Sequence, residues 1–242
     1  MSPVGDRARL EARVASKSFR SASGQSVPVL ADLSFALEEG ETGALIGPSG
    51  CGKSTLLRIL AGLDRDFEGS LHMPEHGRVG MVFQEPRLLP WRSVEDNVRL
   101  AAPHASEADV AALFAALGLA EHRTHFPGEL SVGLARRAAL ARAFAVRPTL
   151  LLLDEPFVSL DAPLARQLQR DLAKLVETRG MITVLVTHDI DEAIALADRI
   201  FVLSARPAQV VGEIQIMSPR AAISDEERRA VAARIDALRQ PG

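Results

Sequence analysis

The sequence predicts an α/β protein built on a buried parallel sheet, and three observations carry that expectation. A glycine-rich loop ending in Lys53-Ser54 lies between a short apolar run and a helical stretch. Four leucines, Leu150 to Leu153, deliver two acids, Asp154 and Glu155. Strand-like and helix-like segments then alternate, and a strand, helix, strand order implies parallel pairing with both sheet faces covered.

Composition narrows the class before any motif is weighed. At 242 residues the chain is long enough for one large domain or a domain with a subdomain. Apolar residues make up 47% and charged residues 24%, close to the globular average, which argues against a disordered chain. Lysine plus arginine at 28 against aspartate plus glutamate at 31 leaves −3, too weak a balance to draw nucleic acid or anionic lipid, so no nucleic-acid partner is expected. The longest apolar stretches fall far short of the roughly 20 residues that span a bilayer. Met1 to Arg13 mixes charges of both signs without an apolar h-region, which speaks against a secretory signal. The lone Cys51 forms no internal disulfide, in keeping with a reducing compartment.

From Leu10 to Leu45 short alternating runs, Leu10/Ala12/Val14 and Leu33/Phe35/Leu37, predict two or three antiparallel strands. Between Ser93 and Ala145 the texture turns alanine- and leucine-rich at helical spacing, with Val110, Leu113, Phe114 and Leu117 behind a cap at Ser106. A helix is predicted from about Ala162 to Arg179, with Asp161 as cap, Pro163 in its first turn and Gly180 at its end. It is followed by a strand over Met181 to Val186, a helix over Asp189 to Asp198, a strand over Ile200 to Leu203, a turn at Arg206-Pro207 and a strand near Val210 to Ile216. Ser224 with Glu227 forms a capping box that opens an amphipathic tail helix through Ile235 and Leu238, expected to pack.

The most specific motif is Gly47-Pro48-Ser49-Gly50-Cys51-Gly52-Lys53-Ser54, which satisfies G-x-x-x-x-G-K-[ST] between an apolar strand, Ala44 to Ile46, and a helix, Ser54 to Leu63. Glycines let successive N–H groups turn toward one phosphate, and the helix N-terminus adds favourable potential for an anion. Lys53 then reaches the β/γ-phosphates and Ser54 ligates Mg2+. A random chain of average glycine usage matches this pattern only about one time in a hundred, even before the strand and helix context is counted. Asp154 and Glu155 lie at the carboxyl end of a buried strand, where open α/β sheets bind ligands. Asp154 suits a water-bridged Mg2+ contact and Glu155 suits polarising an attacking water. The alternative for either acid is capping the loop before Asp161.

Further residues follow in a fixed order: Gln84 after the strand-like Val79 to Phe83, then Leu130-Ser131-Val132-Gly133-Leu134 opening a helix, Asp154-Glu155, Ser159-Leu160-Asp161 and His188. This set resembles the nucleotide-binding subunit of ATP-binding cassette transporters over nearly the whole chain. The resemblance implies an α/β P-loop NTPase (RecA-like) core with an N-terminal antiparallel β subdomain and an inserted α-helical subdomain. It places one ATPase domain over 1–242, the helical subdomain at about 87–145 and the short C-terminal helix at about 224–239. It also implies a second copy of the chain, the two sandwiching two ATP molecules between one copy's P-loop (Gly47 to Thr55) and the other's Ser131-Gly133 segment.

Carried over by the resemblance, Gln84 senses Mg2+ and the γ-phosphate, Glu155 is the general base, His188 hydrogen-bonds the γ-phosphate, Asp161, in the loop that follows the acids, belongs to the ATP-binding set, and Phe19 stacks on adenine. Alternatives stay open for His188, as a helix cap, and for Phe19, as core filler. Val132 and Leu134 depart from the family's Leu-Ser-Gly-Gly-Gln, and a β-branched residue restricts that loop. Arg136, Arg137 and Arg142 on the following helix are expected to form a solvated face instead of a nucleic-acid patch, and the resemblance places them near the interface of the two copies.

Gln84-Glu85-Pro86-Arg87-Leu88-Leu89-Pro90-Trp91-Arg92 resembles the corresponding loop in importers of nitrate, aliphatic sulfonates and taurine. The only tryptophan, Trp91, suits a protein contact there, the alternative being an anchor for the helical subdomain. The resemblance thus implies a peripheral ATPase on the cytoplasmic face of the inner membrane, partnered by permease subunits and indirectly by a solute-binding protein. Two rival classes are a non-transport cassette ATPase and a soluble P-loop phosphotransferase. The latter has no need of Ser131, Gly133 or His188.

Overall fold

In the computed structural model the chain is described over residues 9–74, 77–217 and 223–239. The stretch weighed for a signal segment lies mostly outside these residues. Two compact units emerge, one from Met1–His76 with Ile182–Gly242 and one from Gly77–Met181.

The first unit opens with β1 (Arg9–Arg20) and β2 (Ser26–Glu38), followed by β3 (Thr42–Ile46), α1 (Lys53–Leu60) and β4 (Glu68–His72). The second contains β5 (Val79–Val82), α2 (Val94–Ala101), α3 (Glu107–Ala116), α4 (Val132–Ala145), β6 (Leu150–Asp154) and α5 (Ala162–Arg179). The chain then returns to the first unit as β7 (Ile182–Thr187), α6 (Ile190–Leu196), β8 (Arg199–Leu203), β9 (Val210–Gln215) and α7 (Asp225–Arg239).

In the first unit β1 is the middle of an antiparallel sheet, flanked by β2 and β4. The alternating residues of β1 and β2 bury Leu10, Ala12, Val14, Leu33, Phe35 and Leu37 on one side, as their spacing predicts. Of the two or three antiparallel strands expected between Leu10 and Leu45, two form, and the third strand of their sheet lies outside that stretch. Residues 42–46 do not join this sheet, because all five are buried, and a strand covered on both faces belongs in a parallel sheet. Its place is taken by β4, whose mostly exposed residues carry no alternation to signal a strand.

β3 pairs in parallel with β7 on one side and β8 on the other, and β9 runs antiparallel to β8. The register sets Ile46 beside Thr187, so the loops beginning at Gly47 and His188 leave the same edge of the sheet. α7 seals the far side: Glu227 N–H donates to Ser224 Oγ at 3.1 Å at its start, Val231 and Ile235 are buried, and Leu238 lies over Gly212.

In the second unit β5 and β6 pair in parallel from Val79↔Leu150 to Val82↔Leu153. Phe83-Gln84 and Asp154-Glu155 therefore emerge side by side at the carboxyl ends of two strands. Two helices of this unit are capped as their sequences predict. Asp161 Oδ1 accepts from Leu164 N at 2.9 Å to start α5, which ends at Gly180 in the left-handed conformation, and Ser106 Oγ accepts from Asp109 N at 3.1 Å to start α3.

Candidate nucleotide site

The glycine-rich loop joins β3 to α1 within the first unit. Gly52 is the N-cap of α1 with φ 131°, a conformation closed to L side chains, and an added Cβ would lie 2.8 Å from a Leu30 methyl and 2.9 Å from one of Val29. No side chain caps α1 among the described residues, and a helix N-terminus that is not closed by a cap suits an anion. Lys53 is buried, and its Nζ donates to Gly47 O at 2.8 Å and Pro48 O at 2.9 Å, which curls the loop around its own ammonium. Two of its three donors are held this way. Ser49 and Gly50 face outward, Ser54 is exposed, Thr55 is half-buried and Cys51 is buried inside the turn.

His188 follows β7 and is exposed beside this loop's sheet edge. It is not the helix cap. Asp189 Oδ1 accepts from Asp191 N at 2.8 Å and Glu192 N at 3.2 Å, so the capping alternative for His188 is met by its neighbour. Phe19 is 45% exposed at the end of β1, which excludes its reading as core filler. Lys17 Nζ sits 4.7 Å from its ring centroid, and ion pairs with Asp64 and Asp66 fix that lysine. Burial opposes the Lys17 charge, but these two carboxylates outweigh it and raise its pKa, so the cation stays in place.

One partner of the loop was not legible beforehand. Arg206 Nη2 donates to Gly50 O at 2.7 Å, and Leu203 Cβ lies where a side chain at Gly47 would project. An arginine in a proline turn carries no sequence signal for such a contact.

The second unit contains Gln84, Asp154, Glu155, Ser131, Gly133 and Asp161, and the β5–β6 register sets the first three at neighbouring strand ends. Asp154 is 7% exposed at the end of β6, while Glu155 is half-buried with φ 45°. A non-glycine residue there stores about 1–3 kcal/mol of backbone strain, a cost that clusters at functional sites. Gln84 is exposed at the end of β5. Ser131 caps α4, its Oγ accepting from Leu134 N at 3.3 Å. Gly133 packs so closely on α5 that an added Cβ would stand 2.5 Å from Leu164 Cδ2.

The arginines of α4 are a correction. Arg136 is buried, Arg137 pairs with Asp171 at 2.8 Å, and Arg142 donates to Pro86 O at 2.7 Å and Arg87 O at 2.6 Å. Their acceptors are loop carbonyls and one carboxylate instead of water. Asn97, also buried, clips the same loop: its Oδ1 accepts from Leu89 N at 2.7 Å, and its Nδ2 donates to Leu89 O, Arg92 O and Ser93 O. Trp91 stands on the outside of that clipped loop at 70% exposure, which removes its alternative as a buried anchor.

The fold and these residues define an ATP-binding cassette ATPase. Residues 30–158 match the family model described as ABC transporter, and the chain belongs to that family. It is 45% identical over 189 residues to the aliphatic sulfonates import ATP-binding protein SsuB 2 of Pseudomonas syringae pv. tomato, covering 78% of this chain and 81% of that protein. Against aliphatic sulfonates import ATP-binding protein SsuB 1 of Streptomyces avermitilis the identity is 47% over 203 residues, with 83% and 76% covered. Among solved structures, the dimeric post-hydrolysis state of the ATP-binding cassette MJ0796 bound to ADP and Pi superimposes with a TM-score of 0.74 at 27% identity, over 87% of this chain and 100% of that one. The chain thus has the P-loop NTPase fold of this family, binds ATP and is an ATPase. Among the described residues, no helix is long and apolar enough to cross a membrane.

Proposed function

We propose that this chain is the ATP-hydrolysing subunit of a bacterial importer for an aliphatic sulfonate or a related small solute such as taurine or nitrate, working as one ATPase domain over 1–242. The observation that carries the reading is the loop from Gly47 to Thr55, whose ammonium and uncapped helix start suit a triphosphate. The sulfonate relatives and the 84–92 segment support the solute class.

In this reading Gly47, Ser49, Gly50, Cys51, Gly52, Lys53, Ser54 and Thr55 surround the phosphates, and Phe19 stacks on the adenine. The oxygen donors fit Mg2+: Ser54 and Gln84 offer a hydroxyl and an amide, and Asp154, buried at its strand end, offers a carboxylate. Held by these three residues, Mg2+ would supply positive charge that offsets the charge of the phosphates. Glu155 accepts the proton of the attacking water, and His188 donates to the γ-phosphate or holds that water. A second copy of the chain contributes Ser131 and Gly133 to each ATP, with Asp161 in the adjoining loop. Gln84 carries the state of the γ-phosphate into the loop from Pro86 to Trp91, which meets the permease. A solute-binding protein delivers the solute from the other side, and the subunit lies peripherally on the cytoplasmic face of the inner membrane.

The test is ATPase activity in liposomes holding the permease. Sulfonate-loaded binding protein is expected to stimulate hydrolysis by the parent chain, while Trp91→Ala keeps ATP binding and loses the stimulation. Trp91→Ala that unfolds the chain would refute the loop's role in coupling, and equal stimulation without any solute would refute the solute class.

A further inference from the structure

Within the second unit one guanidinium gathers two loops. Arg136 is 5% exposed, one turn into α4 from its Ser131 cap. Its Nη1 donates to Gln84 O and, at 3.4 Å, to Phe83 O, while Nη2 donates to Val158 O at 3.4 Å. No carboxylate forms a salt bridge with it among the described residues, and Nε has no hydrogen-bond partner there. Its hydrogen bonds go only to carbonyls, and burial outweighs the favourable charge of nearby Glu85; such a buried cation is expensive, and an apolar side chain of similar volume is often as stable or more so. Stability is therefore a poor reason for an arginine here, and specification of loop position is a better one.

The three carbonyls belong to the segments that carry the candidate chemistry. Gln84 has its main chain clamped while its side chain is exposed. Val158 lies in the turn that Glu155 opens, its N–H donating to Glu155 O at 3.3 Å. Six residues further along α4, Arg142 holds Pro86 and Arg87, and Asn97 holds Leu89 and Arg92, so the path from Gln84 to Trp91 is fastened at each step. Proline at Pro86 and Pro90 stiffens it further.

Building on the ATPase reading above, we propose that Arg136 is a positioning residue that ties the Gln84 loop and the Glu155–Asp161 loop to the start of α4, so that a change at the γ-phosphate reaches Ser131 and Trp91 together. Arg136 touches no reacting atom in this account. Its effect is on where Gln84 and Glu155 stand when ATP is bound.

The experiment uses the full chain, with Trp91 as the only tryptophan reporting on its loop. Parent, Arg136→Met and Arg136→Lys are compared by thermal unfolding, by steady-state hydrolysis, by ATP affinity in a Glu155→Gln background, and by Trp91 emission with and without ATP and Mg2+. Arg136→Met is expected to fold, to bind ATP within about threefold of the parent, and to lose about 10- to 100-fold in kcat, the scale of an ångström-level misplacement. Its nucleotide-dependent Trp91 response should disappear. Lysine, which keeps the charge but lacks the planar fork, should restore part of both. A folded Arg136→Met with parental kcat and Trp91 response overturns the proposal, as does a parent that hydrolyses ATP without any Trp91 response. If Arg136→Met does not fold, Arg136→Lys decides: reduced kcat with retained affinity supports the tether, whereas parental behaviour or failure to fold assigns Arg136 to the core and overturns it. A parent that binds no ATP and releases no phosphate would instead overturn the ATPase reading.

Discussion

α1 and α4 both begin where the proposed function needs phosphate contacts, yet they begin differently. α1 starts behind Gly52 with no side-chain cap among the described residues, while α4 starts behind Ser131, whose hydroxyl already accepts from Leu134 N. Leaving a helix start uncapped forgoes about 1 kcal/mol, and the N–H groups so released suit an anion. The first terminus is thus shaped for a phosphate at the expense of its own helix. Ser131 keeps its helix capped and still has one O–H to donate, since a hydroxyl offers one donor and two acceptor sites. The difference fits a primary site on one chain and an auxiliary contact offered to another.

The largest expected effect isolates chemistry from both termini. Glu155→Gln should lower hydrolysis by about 10²- to 10⁴-fold, the usual contribution of a general base, with ATP affinity preserved. A variant that releases phosphate at the parent rate would remove Glu155 from that role. Lys53→Ala comes next. It removes the ammonium that Gly47 O and Pro48 O hold, so ATP affinity should fall by about 10²-fold or more, read by equilibrium binding. Unchanged affinity would mean that α1 is not the primary site.

Ser131→Ala should cost about 1 kcal/mol of stability through the lost cap. It should leave ATP affinity of the single chain intact while weakening any ATP-dependent pairing of two chains. If it instead weakens binding to the monomer, the division between the two termini fails.

The smallest effect concerns acid stability. Hydrogen bonds from Arg123, and then from Arg99, hold the Glu95 carboxyl down from 4.5 to about 2. A depressed folded-state value contributes stability above the unfolded pKa and loses it as pH falls through the folded one. The contribution should therefore be complete above about pH 4.5 and fade toward pH 2. Urea midpoints across this window should fall less steeply for Glu95→Gln than for the parent; parallel slopes would show that the α2 network plays no such part.

What the sequence revealed tracks how local each signal is. The loop at Gly47, the caps at Ser106 and Asp161 and the buried run at Leu150 are set by neighbours within a few residues, and each was readable. The third antiparallel strand was not, because β4 is exposed on nearly every residue and is specified by pairing with β1. The arginines of α4 misled for the same reason. Arg136 looks like a surface charge until Gln84 O, 52 positions earlier, and Val158 O, 22 later, supply its partners. Asn97 and Arg206 likewise answer to carbonyls that only the fold brings near.

The most direct test of the account is the mass of the Glu155→Gln chain in solution, measured by light scattering with and without ATP and Mg2+ over a wide range of protein concentration. Without nucleotide the chain should stay at or near its 26.0 kDa mass. With ATP and Mg2+ it should reach twice that value, because the phosphates held at α1 of one copy give the α4 terminus of the other an anion to meet. A mass that stays at 26.0 kDa with ATP bound at every concentration would contradict the account.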